Sequence, residues 1–362
     1  MTGRVLLLLG TRKGAYVLEA DAAGRGAPAS WTVRGPLFEP WPINVFRHDP
    51  ETGVLYAGGG NPWYGAAVWR SADLGETWSH SSAGLTYGEG GPAIRAVWQL
   101  TPAHGALFAG VEPAGLFRSD DGGETWRHVE GLTRHPTRPT WQPGAGGLIC
   151  HTVLADPDDA ARMWVAISAV GCFATADGGG TWEARNRGVR ADFMPDHYPE
   201  TGQCVHKMVL APGVRDRLYQ QNHCGTYRSD DGGRTWICLD EGLPSTFGFP
   251  VVAHPRDPDT IYTIPLNGAD RGRVMPEGKA AVWRTTDAGR SWTALRDGLP
   301  QSNAFVGVLR DAMATDPLEP FGIYFGTSTG QVYASANEGR TWARIADLLP
   351  PIHSVATAVI TA

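Results

Sequence analysis

Ser119-Asp120-Asp121-Gly122-Gly123-Glu124-Thr125-Trp126 is an octapeptide that this chain repeats five more times. The six copies occupy residues 71–78, 119–126, 175–182, 229–236, 285–292 and 335–342, so their starts are 48, 56, 54, 56 and 50 residues apart. The third position is Asp73, Asp121, Asp177, Asp231, Asp287 or Asn337. A short carboxylate or amide there accepts backbone N–H bonds and tightens a turn. The fifth position is always glycine, which takes up positive φ without a steric penalty. The last is always tryptophan, a residue that re-enters a strand and buries a large apolar face.

Two short apolar runs stand upstream of each box. Leu107–Val111 and Gly115–Arg118 precede the second, and Leu218–Gln221 and Gly225–Arg228 precede the fourth. Each period therefore reads as four strands, A to D, with the box joining C to D. A repeat of about 50 residues built from four strands predicts a β-propeller of four-stranded blades. The N-terminus supplies three more strands, Arg4–Thr11, Gly14–Ala20 and Ser30–Val33, without a strand A before them. The C-terminal run His353–Ile360 is placed to provide it. The expectation is an all-β, seven-bladed propeller over residues 1–362 as a single domain, closed by pairing of N- and C-terminal strands, with six blades as the alternative. Closure removes the open sheet edges that invite aggregation.

The six octapeptides resemble the Asp-box, or BNR repeat, of sialidases and related glycoside hydrolases, sortilin-type receptors and a photosystem II assembly factor. The resemblance covers nearly the whole chain and implies the propeller fold. It implies little about chemistry, because in those families the box sits on the blade periphery, away from the reacting centre. Sialidases bind their substrate's carboxylate with three arginines, use a Tyr nucleophile and carry a Phe/Tyr-Arg-Ile-Pro motif. That motif is absent here. Arg12, Arg95 and Arg310 are the arginines that could form such a triad, and Tyr324 is late enough in the chain to be the nucleophile.

Composition narrows the classes. Apolar residues make up 42 % and charged residues 19 %, with 14 Trp, enough for a large core. Forty-seven Gly and 27 Pro fit many short strands and tight turns. A net charge of −6 without a Lys/Arg run argues against nucleic-acid and membrane partners. The apolar run Val5–Leu9 is shorter than the ~7–15 residues of a signal-peptide core. Five cysteines, odd in number and without CxxC spacing, do not suggest a disulfide framework. Together these point to the cytoplasm and, with no open edge, to a monomer by default, a dimer remaining open. Cys172 and Cys238 are expected to be packing residues.

Strand topology gathers the D–A and B–C connections at one end of each blade. The long insertions 133–147 and 185–202 are D–A loops and 267–279 is a B–C loop, so all three belong at that end, the usual place for a site. Aligning the blades on the prolines that end strand A (Pro50, Pro102, Pro157, Pro212, Pro255 and Pro317) brings Asn44, Ala96, His151, His206, Phe249 and Asp311 into register. Two histidines thus share one position on adjacent inner strands. His223 lies near the same end, past strand B of His206's blade. Three imidazoles with an open position suit a divalent transition metal such as Zn, Cu, Fe, Mn or Ni. Taken singly, each histidine also fits a hydrogen-bonded core residue. Cysteines flank all three histidines, as Cys150, Cys204 and Cys224, and only Cys204 shares a strand face with its histidine. Asp192, Asp196, His197 and Glu200 on the 185–202 loop are candidate further ligands or carboxylates behind them.

Arg12, Lys13, Arg95, Lys207 and Arg310 fall near the same end, with Glu112 and Asp311. They read either as holders of an anionic substrate or as ion pairs filling a polar interior. Trp41, Trp63, Tyr64 and Trp141 flank loop glycines and prolines, and would stack a sugar or pack between blades.

Three functions compete. The leading expectation is a metal-dependent enzyme on a small, possibly anionic molecule. His151, His206 and His223 would hold the metal, Glu200 or Asp196 would act as base, and Arg12, Arg95, Lys207 or Arg310 would orient the substrate. The second is a sialidase-like or other glycoside hydrolase with a sugar ligand, Glu112 and Asp311 being its carboxylate candidates. The third is a non-catalytic ligand- or protein-binding scaffold.

Overall fold

A computed structural model describes residues 3–61 and 63–361. The strands in chain order are β1 (Gly3–Thr11), β2 (Ala15–Asp21) and β3 (Thr32–Leu37); β4 (Ile43–His48), β5 (Leu55–Asn61), β6 (Gly65–Ser71) and β7 (Ser79–Ser81); β8 (Ala96–Ala103), β9 (Ala106–Glu112), β10 (Gly115–Ser119) and β11 (Arg127–His128); β12 (Cys150–Ala155), β13 (Met163–Ile167), β14 (Gly171–Thr175) and β15 (Glu183–Ala184). The remainder are β16 (Val205–Leu210), β17 (Leu218–Asn222), β18 (Gly225–Ser229) and β19 (Ile237–Cys238); β20 (Gly248–Ala253), β21 (Ile261–Pro265), β22 (Val282–Thr285) and β23 (Thr293–Leu295); β24 (Met313–Thr315), β25 (Ile323–Gly326), β26 (Val332–Ser335) and β27 (Ala343–Ala346); and β28 (Ile352–Thr361). They form seven four-stranded sheets, the blades of a seven-bladed β-propeller. Six blades take four consecutive strands, and the seventh has the order β28-β1-β2-β3. Its closure is antiparallel, with Leu7 opposite Thr357 and Leu9 opposite Val355.

The blades divide between two compact units. The first comprises Met1–Pro40, His206–Gly232 and Ile237–Ala362, and the second Trp41–Val205 and Gly233–Trp236. The first unit's core joins Leu7 and Leu9 of β1 to Ile264, Phe325 and Val355. In the second, Val97, Leu107 and Phe117 pack with Trp126, while Phe108, Val165 and Phe173 pack with Trp182. The box tryptophans thus anchor blade cores, as their apolar area demands.

Each box works as the local chemistry requires. Ser119 Oγ donates to Asp121 Oδ1 at 2.7 Å and accepts from Gly123 N at 2.8 Å. Thr125 donates to Asp121 through its backbone N (2.9 Å) and its Oγ1 (2.5 Å). The side-chain bond from Thr125, then its backbone bond and the Ser119 bond, bring the Asp121 carboxyl down to about 2. Asn337 keeps the backbone bond, accepting from Thr341 N at 2.9 Å, and donates from Nδ2 to Thr341 Oγ1.

The first strand of a blade carries a register irregularity in several cases. It falls between Ile43 and Val45, Val97 and Gln99, Cys150 and Thr152, and Gly248 and Val251. The residue at the irregular place in β8 is therefore Trp98, where the proline alignment put Ala96. The reason is that Pro102 lies inside β8 rather than beyond its end.

Candidate functional site

Side chains at these irregular positions bond across to the next inner strand. Asn44 Nδ2 donates to Val97 O at 3.2 Å, and His151 Nε2 to Val205 O at 2.9 Å. In the first unit His206 Nδ1 donates to Gly248 O at 2.5 Å. The shared register of His151 and His206 thus has a structural use, since each satisfies a buried carbonyl one strand away. His151 is fully buried and its other nitrogen, Nδ1, lies 3.0 Å from Thr152 Oγ1, so both ring nitrogens are engaged.

The second unit brings together one group of the expected residues. Arg95 immediately precedes β8, and Glu112 ends β9, with Ala96 and Glu112 paired across the sheet. Arg95 Nη1 is 3.5 Å from Glu112 Oε1, and Trp98 Nε1 donates to Glu112 Oε2 at 3.2 Å. The carboxylate is half-buried between a guanidinium and an indole N–H. The 134–149 segment covers it through Gly147, where a Cβ would come within 2.7 Å of Glu112 Oε1. The neighbouring blade places its β5–β6 turn alongside, since a Cβ on Gly60 would strike Arg95 O at 2.0 Å. That turn carries Trp63, 87 % exposed, and Tyr64, also exposed. Trp41, just before β4, lies 5.5 Å from Tyr64 ring to ring and 4.9 Å from Trp69. Trp141 does not join them. It is buried against Phe173 and His135.

The 185–202 loop is folded on itself in the same unit. Ala191 N donates to His197 O, and Gly202 N to Val170 O, both at 2.9 Å. Asp192, Asp196, His197 and Glu200 are all exposed on it. Asp196 accepts from Tyr198 N through Oδ1 at 2.9 Å, and the Glu200 carbonyl accepts from Asn186 Nδ2.

The first unit holds the other group. His206 on β16 and His223 in the β17–β18 turn stand 5.7 Å apart, ring to ring. Phe249 is 4.6 Å from His206, and Phe247 is 5.0 Å from His223. Two guanidiniums border these rings. Arg273 Cζ lies 5.8 Å from the Phe247 ring and 5.9 Å from that of Phe249, and Arg310 Cζ lies 6.0 Å from Phe249. Burial, followed by the charge of Arg310, holds the His206 imidazole well below its usual range. Of the three expected metal ligands, His206 and His223 stand together in this unit, and His151 belongs to the second. The same two guanidiniums oppose a dication beside His206.

Lys207 and Asp311 do not face an open site. Lys207 Nζ donates to Asp311 Oδ1 and both side chains are about nine-tenths buried. Arg12 and Lys13 are exposed in the β1–β2 turn. Tyr324 is fully buried, its hydroxyl donating to Asp316 Oδ2 at 2.7 Å, so it belongs to the core and not to a reacting centre. All five cysteines are thiols, none being half of a disulfide. Burial pushes the Cys150 and Cys172 thiols up to about 12, whereas Cys238 is exposed, with Sγ 3.2 Å from Asp240 Oδ2, and is no packing residue. Trp98, Phe247 and Arg273 escaped the sequence reading. The one signal was for Phe247, which stands two residues before Phe249, the residue in the register of His206.

Comparison with known proteins agrees with this architecture. The family model described as BNR/Asp-box repeat matches residues 117–128. An oligoxyloglucan-reducing end-specific xyloglucanase of Emericella nidulans is 34 % identical over 219 residues, which cover 51 % of this chain and 25 % of that protein. The chain thus spans about a quarter of that relative's length. Among solved structures, an ancestral GH74 enzyme superposes with a TM-score of 0.55 at 16 % identity, covering 87 % of this chain and 38 % of that one. YCF48 bound to a D1 peptide gives 0.54 at 16 %, covering 86 % and 85 %. With its box turns in place and seven four-stranded blades behind them, the chain carries the BNR/Asp-box repeat on a seven-bladed β-propeller fold.

Proposed function

We propose that this protein is a glycoside hydrolase acting on an oligosaccharide at the Glu112 end of its second unit. The observation that carries the reading is the likeness to a xyloglucanase over 219 residues. The geometry supports it. Exposed Trp63 and Tyr64 offer flat apolar faces to sugar rings, as aromatic side chains do in ligand sites. In the same unit Glu112 accepts from Trp98 and pairs with Arg95, and it is the proposed base or nucleophile. Glycoside hydrolysis takes two carboxyl groups. Asp196 and Glu200, on the loop of the same unit, are the proposed source of the second.

The experiment is hydrolysis of a panel of oligosaccharides that includes xyloglucan fragments, by the parent and by Glu112→Gln. Release of reducing ends by the parent, lost in the variant, is the expected result. Full activity in Glu112→Gln removes Glu112 from the reaction, and no cleavage of any member by the parent overturns the reading.

A further inference from the structure

The first unit contains a pocket of about 350 Å³, part of it open to solvent, that the proposed hydrolysis does not use. Its walls come from the end of β21, the β21–β22 loop and β22, with Pro244 before β20 and Arg296 after β23. Pro265, Met275 and Ala281 are buried in these walls, Pro276 adds another pyrrolidine ring, and Trp283 is half-buried. Backbone bonds fix the walls. Met275 N donates to Val306 O at 3.1 Å, Ala280 N to Pro300 O at 2.9 Å and Ala304 N to Gly278 O at 2.9 Å. Phe305, 65 % exposed, lies on Gly278, where a Cβ would come within 3.3 Å of its ring. Gly278 stands between the lining residues Glu277 and Lys279, so Phe305 adds a second apolar station beside the pocket.

The polar groups are few. Lys279 Nζ donates to Glu277 Oε2 at 2.7 Å, so those two charges are spent on each other. Arg296 Cζ lies 5.9 Å from the Trp283 ring, and its hydrogen bond among the described residues is a long one, 3.5 Å to Gln301 Oε1. The Trp283 indole N–H donates to no acceptor among the described residues. A pyranose would bring hydroxyls around its whole edge to walls that offer few partners, and unpaired polar groups are costly. A proline-rich chain has apolar rings and no internal hydrogen bonds, so its carbonyls accept from outside donors such as an indole N–H. Two cations against one carboxylate leave the rim net positive, which favours acidic residues beside the prolines.

We propose that this pocket docks an acidic proline-rich peptide in the polyproline II conformation. One pyrrolidine ring packs on Trp283 and a later one on Phe305. A peptide carbonyl accepts from Trp283 Nε1, and an acidic side chain meets Arg296.

The test is fluorescence polarisation of labelled synthetic peptides with the full chain. Each peptide carries two Pro-Pro pairs, flanked by glutamate, by glutamine or by lysine. The glutamate peptide is expected to bind saturably and roughly fivefold more tightly than the lysine one. Replacing its prolines by alanine is expected to cost roughly tenfold, through lost ring contacts and lost preorganisation. Trp283→Phe keeps a ring and deletes the N–H, and Arg296→Gln deletes the charge. Each is expected to weaken the glutamate peptide by roughly fivefold at the parent's melting temperature. Phe305→Ala, at an exposed position, weakens it without loss of folding. No saturable binding of any of the three peptides overturns the proposal, as does affinity unchanged in all three variants. Equal affinity for the glutamate and lysine peptides overturns the acidic assignment. Displacement of the peptide by a xyloglucan oligosaccharide gives the pocket to a sugar, and sedimentation showing a dimer that Phe305→Ala abolishes gives it to a second copy; either overturns the peptide. Peptide binding and oligosaccharide cleavage are separate readouts, so this inference and the function proposed above fail independently.

Discussion

His151 reaches Val205 across 54 residues of chain, its Nε2 donating to the Val205 carbonyl at 2.9 Å inside a fully buried environment. His206 repeats the relationship with Gly248 through its Nδ1. A histidine in this place works first as a fastener between inner strands.

Replacing His151 therefore acts on stability before chemistry. His151→Ala leaves a buried carbonyl unpaired and a cavity in its place, and is expected to cost roughly 2–4 kcal/mol. His151→Asn, which keeps an N–H, is expected to recover part of that loss. Thermal melts of the two variants check it, and equal melting temperatures for parent and His151→Ala would refute the fastener.

Lys207 and Asp311 form a buried ion pair. Removing one partner strands the other charge, so Lys207→Met or Asp311→Leu alone is expected to destabilise by about 3–5 kcal/mol. The double variant restores most of it, because an apolar pair of similar volume carries no desolvation penalty. Chemical denaturation of the three variants gives the coupling directly, and additive effects would show that the pair does not act as a unit.

For the proposed hydrolysis, Glu112→Gln keeps size and hydrogen-bond capacity while deleting the charge. The expected loss in kcat is about 10²–10⁴-fold, the range of general acid–base contributions. Melting temperature should stay within a degree or two of the parent.

Trp63 is expected to act on binding alone. Trp63→Ala should raise KM by roughly tenfold with kcat nearly unchanged, as for a contact made equally in ground and transition states. An equal fall in kcat instead would place Trp63 closer to the reacting bond.

The box carboxylates predict a pH effect with a defined sign. Asp121, Asp177 and Asp287 each sit at about 2 because hydrogen bonds favour the ionised form. A depressed carboxyl stabilises the fold above its ordinary value near 4, and this is lost as pH falls through about 2. Melting temperature should decline steadily from pH 4 to 2. Asp121→Asn should flatten its own share of that decline, and Asn337 already shows that an amide keeps the turn.

Part of this was legible in the sequence because it is local. A box of Asp, Gly and Thr within eight residues specifies its turn through bonds no longer than four residues in sequence. Six such turns count six blades, and the apolar runs at the two termini announce a seventh, because a strand with one buried edge needs a partner. The expected loops at 133–147, 185–202 and 267–279 are where the strand order put them.

The candidate site was legible in composition but not in its pairings. Histidines 151, 206 and 223 stood out by register alone, yet the β-bulges in the inner strands decide which ring nitrogen meets which carbonyl. Lys207 meets Asp311 across 104 residues, and Arg273 comes to the Phe247 ring from a different loop. Sequence determined the repeat, the blade and the closing strand, since each rests on short-range hydrogen bonding and alternation. Only the tertiary structure decided which charges are spent on each other and which stand exposed, since that depends on packing between chain segments far apart in sequence.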